Sequence, residues 1–317
     1  MYQFEDTPVG FGGAQRANGE AGTVHTAFYR PQTSDAFRVE WARLMLAENG
    51  MGDVEHRVIA WGRHLRTLPQ VAMRGRMDHL RIRGAWPERV EITAGWAKAV
   101  VRPWNEDVDA ASLRLERGGA RFLASCARVA ADWSPEVLSP ATLPSATGVW
   151  REAGFIETNR LLLMEHDLSS VDRPNSSIES GGIEPIADLH RIDSGAFAPR
   201  WRLGRLGLAE SVTATNRSVV FRAPVDGTAI GFAIAGVAFG VGYLQRLAVS
   251  PASRGSGVGS DLVRASLRWA RGHGARSMLV NTQLDNVAAA SIYRGLGFHD
   301  VPGGLLLFKY APAAQTG

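Results

Sequence analysis

A glycine-rich segment near the C-terminal end has the residue types that bind an anion. Residues 254–260, of sequence RGSGVGS, follow a strand pattern over 243–249 and precede a helix pattern with apolar positions at Leu262, Val263 and Leu267. Glycines let the backbone turn tightly and approach a phosphate without a clashing Cβ. The free N–H groups and the dipole at a helix N-terminus add to the attraction. The segment therefore predicts a phosphate-binding turn.

Two common phosphate-binding loops fit this segment poorly. A P-loop requires Lys followed by Ser or Thr after its last glycine, whereas Gly259 is followed by Ser260 and Asp261. A dinucleotide-binding fingerprint requires GxGxxG and an acidic residue at the end of the next strand. The segment here reads GxGxG, and the next strand pattern ends at Asn281. Both alternatives therefore lack a residue on which their chemistry depends.

A third kind of loop fits in every part. Arg254-x-x-Gly257-x-Gly259 resembles the coenzyme A pyrophosphate loop of the GNAT (GCN5-related) N-acetyltransferases. The sequence LAVSP before it, and NVAAASIYRGLGF over 286–298, resemble the strand end and the final helix of that family. The resemblance covers roughly the last 135 residues well and the first half poorly. It implies acetyl-CoA as the acetyl donor and an amine as the acceptor.

The resemblance also implies a role for each matching position. The loop would hold the pyrophosphate through Arg254, Gly255, Ser256, Gly257, Val258, Gly259 and Ser260. The pantetheine arm would lie like an added strand along Leu247, Ala248 and Val249, with an N–H near Leu247 as the donor to the thioester oxygen. Asn281 and Asn286 would contact the cofactor, and Tyr293 would contact it and protonate the departing thiolate.

Tyr293 follows Asn286 by seven residues, so two helical turns place both on one face. A phenol titrates near about 10 and a thiol near about 8.5, so Tyr293 can protonate a thiolate without a large pKa shift. The plainer interpretations are that Tyr293 is a half-buried aromatic side chain and that Asn286 caps the helix.

The central strand has no carboxylate at the position where many GNAT members carry a glutamate as the general base. That strand reads YLQR over 243–246. Gln245 and Asn281 can only position a water. The other candidates are Asp193, Glu210, His190 and His299, each of which can also be interpreted as a surface or capping residue. Phe197 and Trp201 are candidates for the acceptor pocket and equally for core packing.

The composition sets broad limits. The chain has 317 residues, of which 45% are hydrophobic and 21% charged, as is typical of a soluble globular protein. Its net charge is +4 without a basic block, so no nucleic-acid partner is expected. Neither a signal peptide nor a run of about 18–20 apolar residues is present, so we expect a cytoplasmic protein without a membrane partner. The histidines are scattered and Cys126 is the one cysteine, so we expect no metal site.

An internal repeat predicts two domains. With an offset of 143 residues (292 minus 149), residues 149–155 fall on 292–298, and Leu162-Leu163 fall on Leu305-Leu306. In the first copy Leu143 replaces Asn286 and Trp150 replaces Tyr293. We therefore predict an α/β fold with a mixed sheet, built as two tandem GNAT-like domains. The predicted boundaries are a degenerate domain with an N-terminal extension over 1–172, a linker over 173–182 and a catalytic domain over 183–317.

Hydrophobic periodicity places further elements. Helices are predicted over 35–48, from 120, over 145–155 and from 186; strands are predicted over 58–61, 79–83, 89–93, 136–139 and 160–164, with a hairpin around 225–227. Because the degenerate copy has kept its apolar pattern, we expect the acceptor site in a cleft bordered by both halves.

Two other functions stay open. A non-catalytic acyl-CoA-binding module is favoured by the missing strand carboxylate and disfavoured by Tyr293. A nucleotide-binding oxidoreductase is disfavoured because no acidic residue ends the strand at Asn281. The acceptor of a transferase would be a small-molecule or a peptide amine.

Overall fold

The computed structural model describes residues 80–311. The helix predicted over 35–48, the strand predicted over 58–61 and residues 1–33 lie outside this range. The first half of the described chain contains the strands β1 (Arg81–Arg83), β2 (Val90–Ala94), β3 (Ala97–Pro103), β4 (Ala111–Arg117), β5 (Val137–Leu138) and β6 (Phe155–His166). Its helices are α1 (Ala120–Ala131) and α2 (Gly148–Glu152).

The second half begins at β7 (Glu179–Gly181). It continues with α3 (Ile186–Ala196), α4 (Arg205–Thr213), β8 (Arg217–Val225), β9 (Thr228–Ala238), β10 (Val241–Val249), α5 (Val258–Gly272), β11 (Ser277–Gln283), α6 (Val287–Gly295), β12 (His299–Asp300) and β13 (Leu305–Tyr310). Within residues 80–311, no helix has the length and apolar character needed to cross a membrane.

One mixed sheet of thirteen strands runs through both halves. Its order is β1-β2-β3-β4-β5-β13-β6-β11-β10-β9-β8-β7, with β12 paired to β6. Two neighbouring pairs are parallel, β4 with β5 and β10 with β11. Antiparallel pairs such as β8 with β9 and β9 with β10 make up the rest. The predicted mixed α/β fold class is therefore confirmed.

Each half of the chain contributes its last long strand to the other half. β6 pairs with β11, where Met164 lies opposite Val280. β13 pairs with β5, where Lys309 lies opposite Leu138. The two exchanged strands also pair with each other along their length. β12 of the second half also pairs with β6. The halves therefore share the middle of the sheet, and separating them would break four strand pairs.

Amphipathic helices hold the sheet through the apolar positions that the sequence predicts. α5 buries Leu262, Val263 and Leu267 against the second half of the sheet. α1 does the same in the first half with Leu123 and Cys126. Each fully buried aliphatic side chain contributes about 1.5–3 kcal/mol. Truncating Leu262 to Ala would therefore cost about 2–5 kcal/mol of the free energy of unfolding.

Two predictions for the first half need correction. The helix predicted over 145–155 is a 3₁₀ turn over Pro144–Ala146 followed by only five residues of α2. Gly154 has a φ of 88°, which ends the helix in a left-handed turn, and Phe155 already opens β6. The sequence analysis also missed β3 and β4. In β3 the three consecutive residues 99–101 are buried, which interrupts the alternation of polarity expected for a strand with one buried face.

The predicted linker is partly structured. Residues 179–181 form β7, which pairs with β8 at the edge of the sheet. The backbone N–H groups of Asn175 and Ser176 each donate a hydrogen bond of 2.9 Å to the carboxylate of Asp261 at the start of α5. This segment is therefore attached to the helix that follows the glycine-rich loop.

Candidate functional site

The central feature of the site is an opening between β10 and β11. Pairing of β10 with β9 shifts by one residue at Gln245, which is left out as a β-bulge between Leu244 and Arg246. Parallel pairing of β10 with β11 ends at Leu244 opposite Val280, although both strands continue. Beyond this pair the two strands separate, so the edge of β10 that follows the bulge is not covered by a neighbouring strand.

Two residues of β10 present backbone groups to this opening. The Ser250 N–H donates a hydrogen bond of 2.8 Å to the Ile230 carbonyl of β9. Because successive residues of a strand direct their N–H groups to alternate sides, Leu247 and Val249 direct theirs away from β9. These groups therefore form a strand edge to which an extended amide chain can add.

The glycine-rich loop lies where β10 ends and α5 begins. Gly255 and Gly257 have φ values of 79° and 87°, in the region that favours glycine. A Cβ at either position would meet no atom within 4 Å. Gly257 is the N-cap of α5, so the unpaired N–H groups of the first turn face this open space. The loop therefore has both the room and the donors that an anion needs.

Gly259 differs from the other two loop glycines. It is buried, and a Cβ there would lie 3.3 Å from the Ile292 side chain of α6. Its role is therefore the close packing of α5 on α6. Arg254 donates from Nη2 to the Ala196 carbonyl at 2.7 Å, which connects the loop to the end of α3.

Asp261, in the first turn of α5, connects the start of this helix to the preceding segment through hydrogen bonds. It is buried and accepts hydrogen bonds from the Ser176 hydroxyl at 2.6 Å and from Arg264 at 3.0 Å, besides the two backbone bonds from 175–176. Burial acts to raise the pKa of this carboxyl group, but the hydrogen bonds outweigh it and lower the pKa. The carboxylate therefore stays charged beside the positive end of the helix dipole.

Asn286 and Tyr293 occupy one face of α6. Asn286 is the N-cap: its Oδ1 accepts from the Ala289 N–H at 3.2 Å and its Nδ2 donates to Thr282 Oγ1 at 3.0 Å. The capping interpretation of Asn286 is therefore confirmed, and it does not exclude a ligand contact because the side chain also borders a cavity.

Tyr293 is 4% exposed and its ring packs against Phe298, with 5.6 Å between the centroids. Burial raises the pKa of its hydroxyl group, and the nearby charge of Arg246 opposes that shift. A cavity of about 230 Å³ lies between α6 and the opening, and Tyr293 forms part of its wall.

Most of the predicted site residues that are not in the loop meet at this cavity. It is bordered by Leu247, Asn281, Asn286, Tyr293, Gln245, Phe197 and Trp201. Gln245 donates to Thr215 Oγ1 at 3.3 Å, so its amide is oriented by a neighbour. Phe197 and Trp201 line the cavity and also pack against buried apolar clusters, so their role toward an acceptor stays a prediction.

None of the four charged candidates for the general base borders the cavity. Asp193 is fully buried, pairs with Arg246 at 2.6 Å and accepts a hydrogen bond from the Leu203 N–H at 2.7 Å, so of its two interpretations, surface or capping residue, the surface one is wrong. Glu210 pairs with Arg102 at 2.8 Å. His190 lies 3.6 Å from Glu106, and the His299 side chain is 64% exposed at the surface. Among the described residues that line the cavity there is no Asp, Glu or His.

The first half supplies one wall of the cavity. Arg102 and Trp104, at the end of β3, border it together with the 3₁₀ turn Pro199–Trp201 of the second half. Trp104 Nε1 donates to the Arg200 carbonyl at 2.7 Å. Asn105 Nδ2 donates to the carbonyls of Pro199 and Arg202 at 2.8 and 3.0 Å.

Glu136 adds a bidentate ion pair with Arg200 at 2.8 and 3.1 Å, so the turn is held at a second point from the first half. The cavity is therefore a cleft bordered by both halves. The sequence analysis missed Arg102, Trp104 and Asn105, since no local pattern indicated where the end of β3 would meet the second half.

Comparison with known proteins identifies the family. The family model described as "Acetyltransferase (GNAT) family" matches residues 186–298, which run from α3 through the loop, α5 and α6. Aminoglycoside N(6')-acetyltransferase type 1 of Salmonella typhimurium is 30% identical over 100 residues, which are 29% of this chain and 69% of that enzyme. The chain belongs to the GNAT family of acetyltransferases.

The chain covers a smaller part of two other relatives. Aminoglycoside N(6')-acetyltransferase type 1 of Klebsiella aerogenes is 35% identical over 26% of this chain and 60% of that enzyme. Mycothiol acetyltransferase of Amycolatopsis mediterranei is 29% identical over 49% of this chain and 58% of that enzyme. The chain thus covers less than two thirds of either relative. A GCN5-related N-acetyltransferase structure from Kribbella flavida has 15% identity and a TM-score of 0.48 over 72% of this chain and 91% of that one.

Proposed function

We propose that this chain transfers the acetyl group of acetyl-CoA to an amine by direct attack, without a covalent enzyme intermediate. The observation that carries the proposal is the opening between β10 and β11, with an anion-binding loop at one end and Tyr293 on its wall. Such an opening accommodates an extended amide chain that ends in a thioester. Membership of the GNAT family supports the same donor.

The donor would be held by backbone groups. The loop residues 254–260 and the first turn of α5 would bind the pyrophosphate, since Gly255 and Gly257 leave open space there. The pantetheine amides would pair with the Leu247 carbonyl and with Val249 and continue β10 on its free side. Asn281 and Asn286 border the same cavity and would contact the arm near its reactive end.

The reaction requires one bond to form and one to break. The amine nitrogen attacks the thioester carbon, and the Leu247 backbone N–H would donate to the developing oxyanion. The C–S bond then breaks, the amine proton leaves, and the thiolate takes a proton from Tyr293. General acid catalysis of this kind contributes about 10²–10⁴-fold.

Deprotonation of the amine is proposed to occur without a carboxylate or histidine. The described cavity wall contains neither, and its charged side chains are arginines. Guanidinium groups near a bound amine disfavour its protonated form and lower the pKa of the amine. A water held by Gln245 or Asn281 would carry the proton to solvent.

We also propose that the chain contains two GNAT-like domains, over 1–172 and 183–317, and that the first is degenerate. The sheet order supports this, since β4 with β5 and β10 with β11 are corresponding parallel pairs on either side of the exchanged strands. The cytoplasmic location and the absence of a metal, nucleic acid or membrane partner stay predictions.

A second candidate is a non-catalytic acyl-CoA-binding module, which the lack of a base in the cavity wall favours. One experiment separates the two functions. The chain is incubated with acetyl-CoA and a panel of amines, including an aminoglycoside, a cysteinyl amino sugar and peptide N-termini, and free thiol is measured. Amine-dependent thiol release together with an acetylated product supports transfer. Tight acetyl-CoA binding without release from any amine favours the binding module.

A further inference from the structure

Within residues 80–311, the charged groups that border the cavity are all of one sign. They are the guanidinium groups of Arg102, Arg200, Arg202 and Arg246. The proposed donor already occupies the side of the opening next to β10, so the remaining part of the cavity, toward Trp104 and Trp201, is where an acceptor would lie. An acceptor in this position would face arginines and aromatic rings.

The carboxylates that balance these arginines do not border the cavity. Arg202 pairs with Asp107 at 3.1 Å, and Arg102 pairs with Glu210 at 2.8 Å. Arg200 and Arg246 pair with Glu136 and Asp193, as described above. The arginines therefore lie between their carboxylate partners and the cavity in which a ligand would bind. The ion pairs hold each guanidinium in place, which lowers the entropy cost of using it to bind a ligand.

Some arginine donors remain available. A guanidinium has five N–H donors. Arg202 donates from Nε to the Phe197 carbonyl at 3.0 Å and from Nη1 to Asp107. Its Nη2 makes no hydrogen bond within the described part of the chain. Arg102 Nε is likewise without a partner among the described residues, although it is buried. A carboxylate or phosphate on the acceptor would satisfy donors of this kind.

On this basis, and resting on the proposed acetyl transfer, we infer that the acceptor is an amine that also carries an anionic group. A carboxylate and a phosphate present the same chemistry to arginine, so both belong to this class. Polycationic amines are disfavoured, because their second and third ammonium groups would lie beside guanidinium groups with no carboxylate in the described cavity wall. This separates the chain from relatives whose names specify an aminoglycoside.

The neighbouring cavity does not change this conclusion. It shares Arg200 and Trp201 with the first and contains the carboxylates of Glu157 and Asp285. Glu157 is already paired with Arg160 at 2.9 Å and with Arg151 at 3.3 Å. Asp285 is exposed. Neither carboxylate offers a buried site for an ammonium group.

The test uses pairs of amines that differ only in the anionic group. The full-length chain, saturated with CoA, is titrated by calorimetry with alanylglycine and alanylglycinamide, and with glucosamine 6-phosphate and glucosamine; kanamycin is the polycation. We expect the member of at least one pair that carries the anionic group to bind about tenfold more tightly than its twin without that group, and more tightly than kanamycin. Equal or weaker binding of both anionic probes, or tighter binding of kanamycin, overturns the inference.

Two matched variants test whether the Arg202 guanidinium causes the preference for an anionic group. Arg202→Gln removes a guanidinium and should reduce the preference to less than about threefold. Asp107→Asn breaks the same ion pair but keeps the guanidinium, so the preference should persist. Loss of the preference in both variants would mean that Arg202 acts only by bracing the turn, and would overturn its assignment as an anion ligand.

Acetylation assays on the same probes distinguish this inference from the proposed function. Acetyl transfer to kanamycin and glucosamine, with no gain from an anionic group, would support the transferase and overturn the acceptor class. An anionic preference in binding, with no acetyl transfer to any bound amine, would support the anion site and contradict the transferase.

Discussion

The Arg246 guanidinium and the Asp193 carboxylate form an ion pair of 2.6 Å in which the Asp193 side chain is fully buried. The same guanidinium lies 3.6 Å from the Phe197 ring centroid and donates to the Trp201 carbonyl at 2.8 Å. Burial lowers the pKa of Arg246, and Asp193 opposes that shift. This pair joins α3, the 3₁₀ turn and β10 next to the cavity, which Arg246 borders.

We predict that Asp193→Asn destabilises the fold. The change leaves a buried guanidinium without its counter-charge, which costs about 3–5 kcal/mol of the free energy of unfolding. The measurement is denaturant unfolding. Asp188→Asn on the same helix is the control, because that side chain is 49% exposed and lies 4.0 Å from Arg191. The control should change stability by less than about 1 kcal/mol. Equal effects would contradict the structural role of the pair.

Gly257→Glu should abolish acetyl-CoA binding and leave the fold intact. The new side chain would fill the open space in the loop, and its charge would repel the pyrophosphate. Gly274→Glu is the matched control, since Gly274 has a φ of 84° and open space around its Cβ position but lies at the opposite end of α5. In both variants a non-glycine residue in a left-handed conformation adds backbone strain of about 1–2 kcal/mol. Because this cost is shared, a difference in acetyl-CoA affinity measured by calorimetry reports on the loop alone. Affinity within about twofold of wild type for Gly257→Glu would remove the loop from the donor site.

Gly259→Glu should behave differently from Gly257→Glu. Its Cβ would lie 3.3 Å from Ile292, so the larger side chain would push α6 away from α5. We expect lower thermal stability together with lost binding, with a cost of about 1–3 kcal/mol for overpacking. A melting temperature equal to that of the wild type would argue against this packing role.

Tyr293→Phe should lower kcat by about 10²–10⁴-fold and leave acetyl-CoA affinity unchanged. Because burial raises the folded-state pKa of this hydroxyl, the protonated acid persists above its ordinary pKa of about 10. The wild-type rate should therefore not fall through Tyr293 ionisation between about pH 7 and about pH 10. Tyr243→Phe, on β10 and outside the cavity wall, is the control. A loss of less than about threefold in kcat would assign Tyr293 to packing alone.

Asn105→Ala tests whether the first half shapes the acceptor site. The change removes the hydrogen bonds to the Pro199 and Arg202 carbonyls. We expect KM for the amine to rise about tenfold, because the turn loses a restraint worth about 1–1.5 kcal/mol, while acetyl-CoA affinity stays constant. Asn175→Ala is the control, since Asn175 contacts Asp261 through its backbone N–H. An unchanged KM for the amine would show that these hydrogen bonds do not affect binding of the acceptor.

Local patterns in the sequence were sufficient to predict the elements that form the proposed donor side of the site. The spacing of Asn286 and Tyr293, the glycines of the loop and the apolar positions of α5 depend on neighbours within a few turns. The hairpin around Asp226-Gly227 was predicted for the same reason, and both residues have the positive φ values that such a turn requires.

The long-range contacts that form the proposed acceptor side were not predictable in this way. Trp104 and the Arg200 carbonyl are 96 residues apart, and Arg246 and Asp193 are 53 apart, so no periodicity connects them. Asp193 was interpreted as a surface or capping residue because its helix alone gives no sign of a buried partner. The exchange of β6 and β13 was also hidden, since an apolar strand has the same pattern whichever neighbour it pairs with.

The exchanged strands mean that the chain is two interlocked pieces joined by one peptide connection. A fragment beginning near residue 181 would lack β6, so β11 would lose its pairing partner and expose an edge. Cutting between the exposed residues Asp172 and Arg173 instead leaves one polypeptide with β6 and another with β13. Each piece lacks a strand that the other one carries. Two such fragments produced in the same cell should therefore reassemble by complementation, whereas either one alone should aggregate through its unpaired edge.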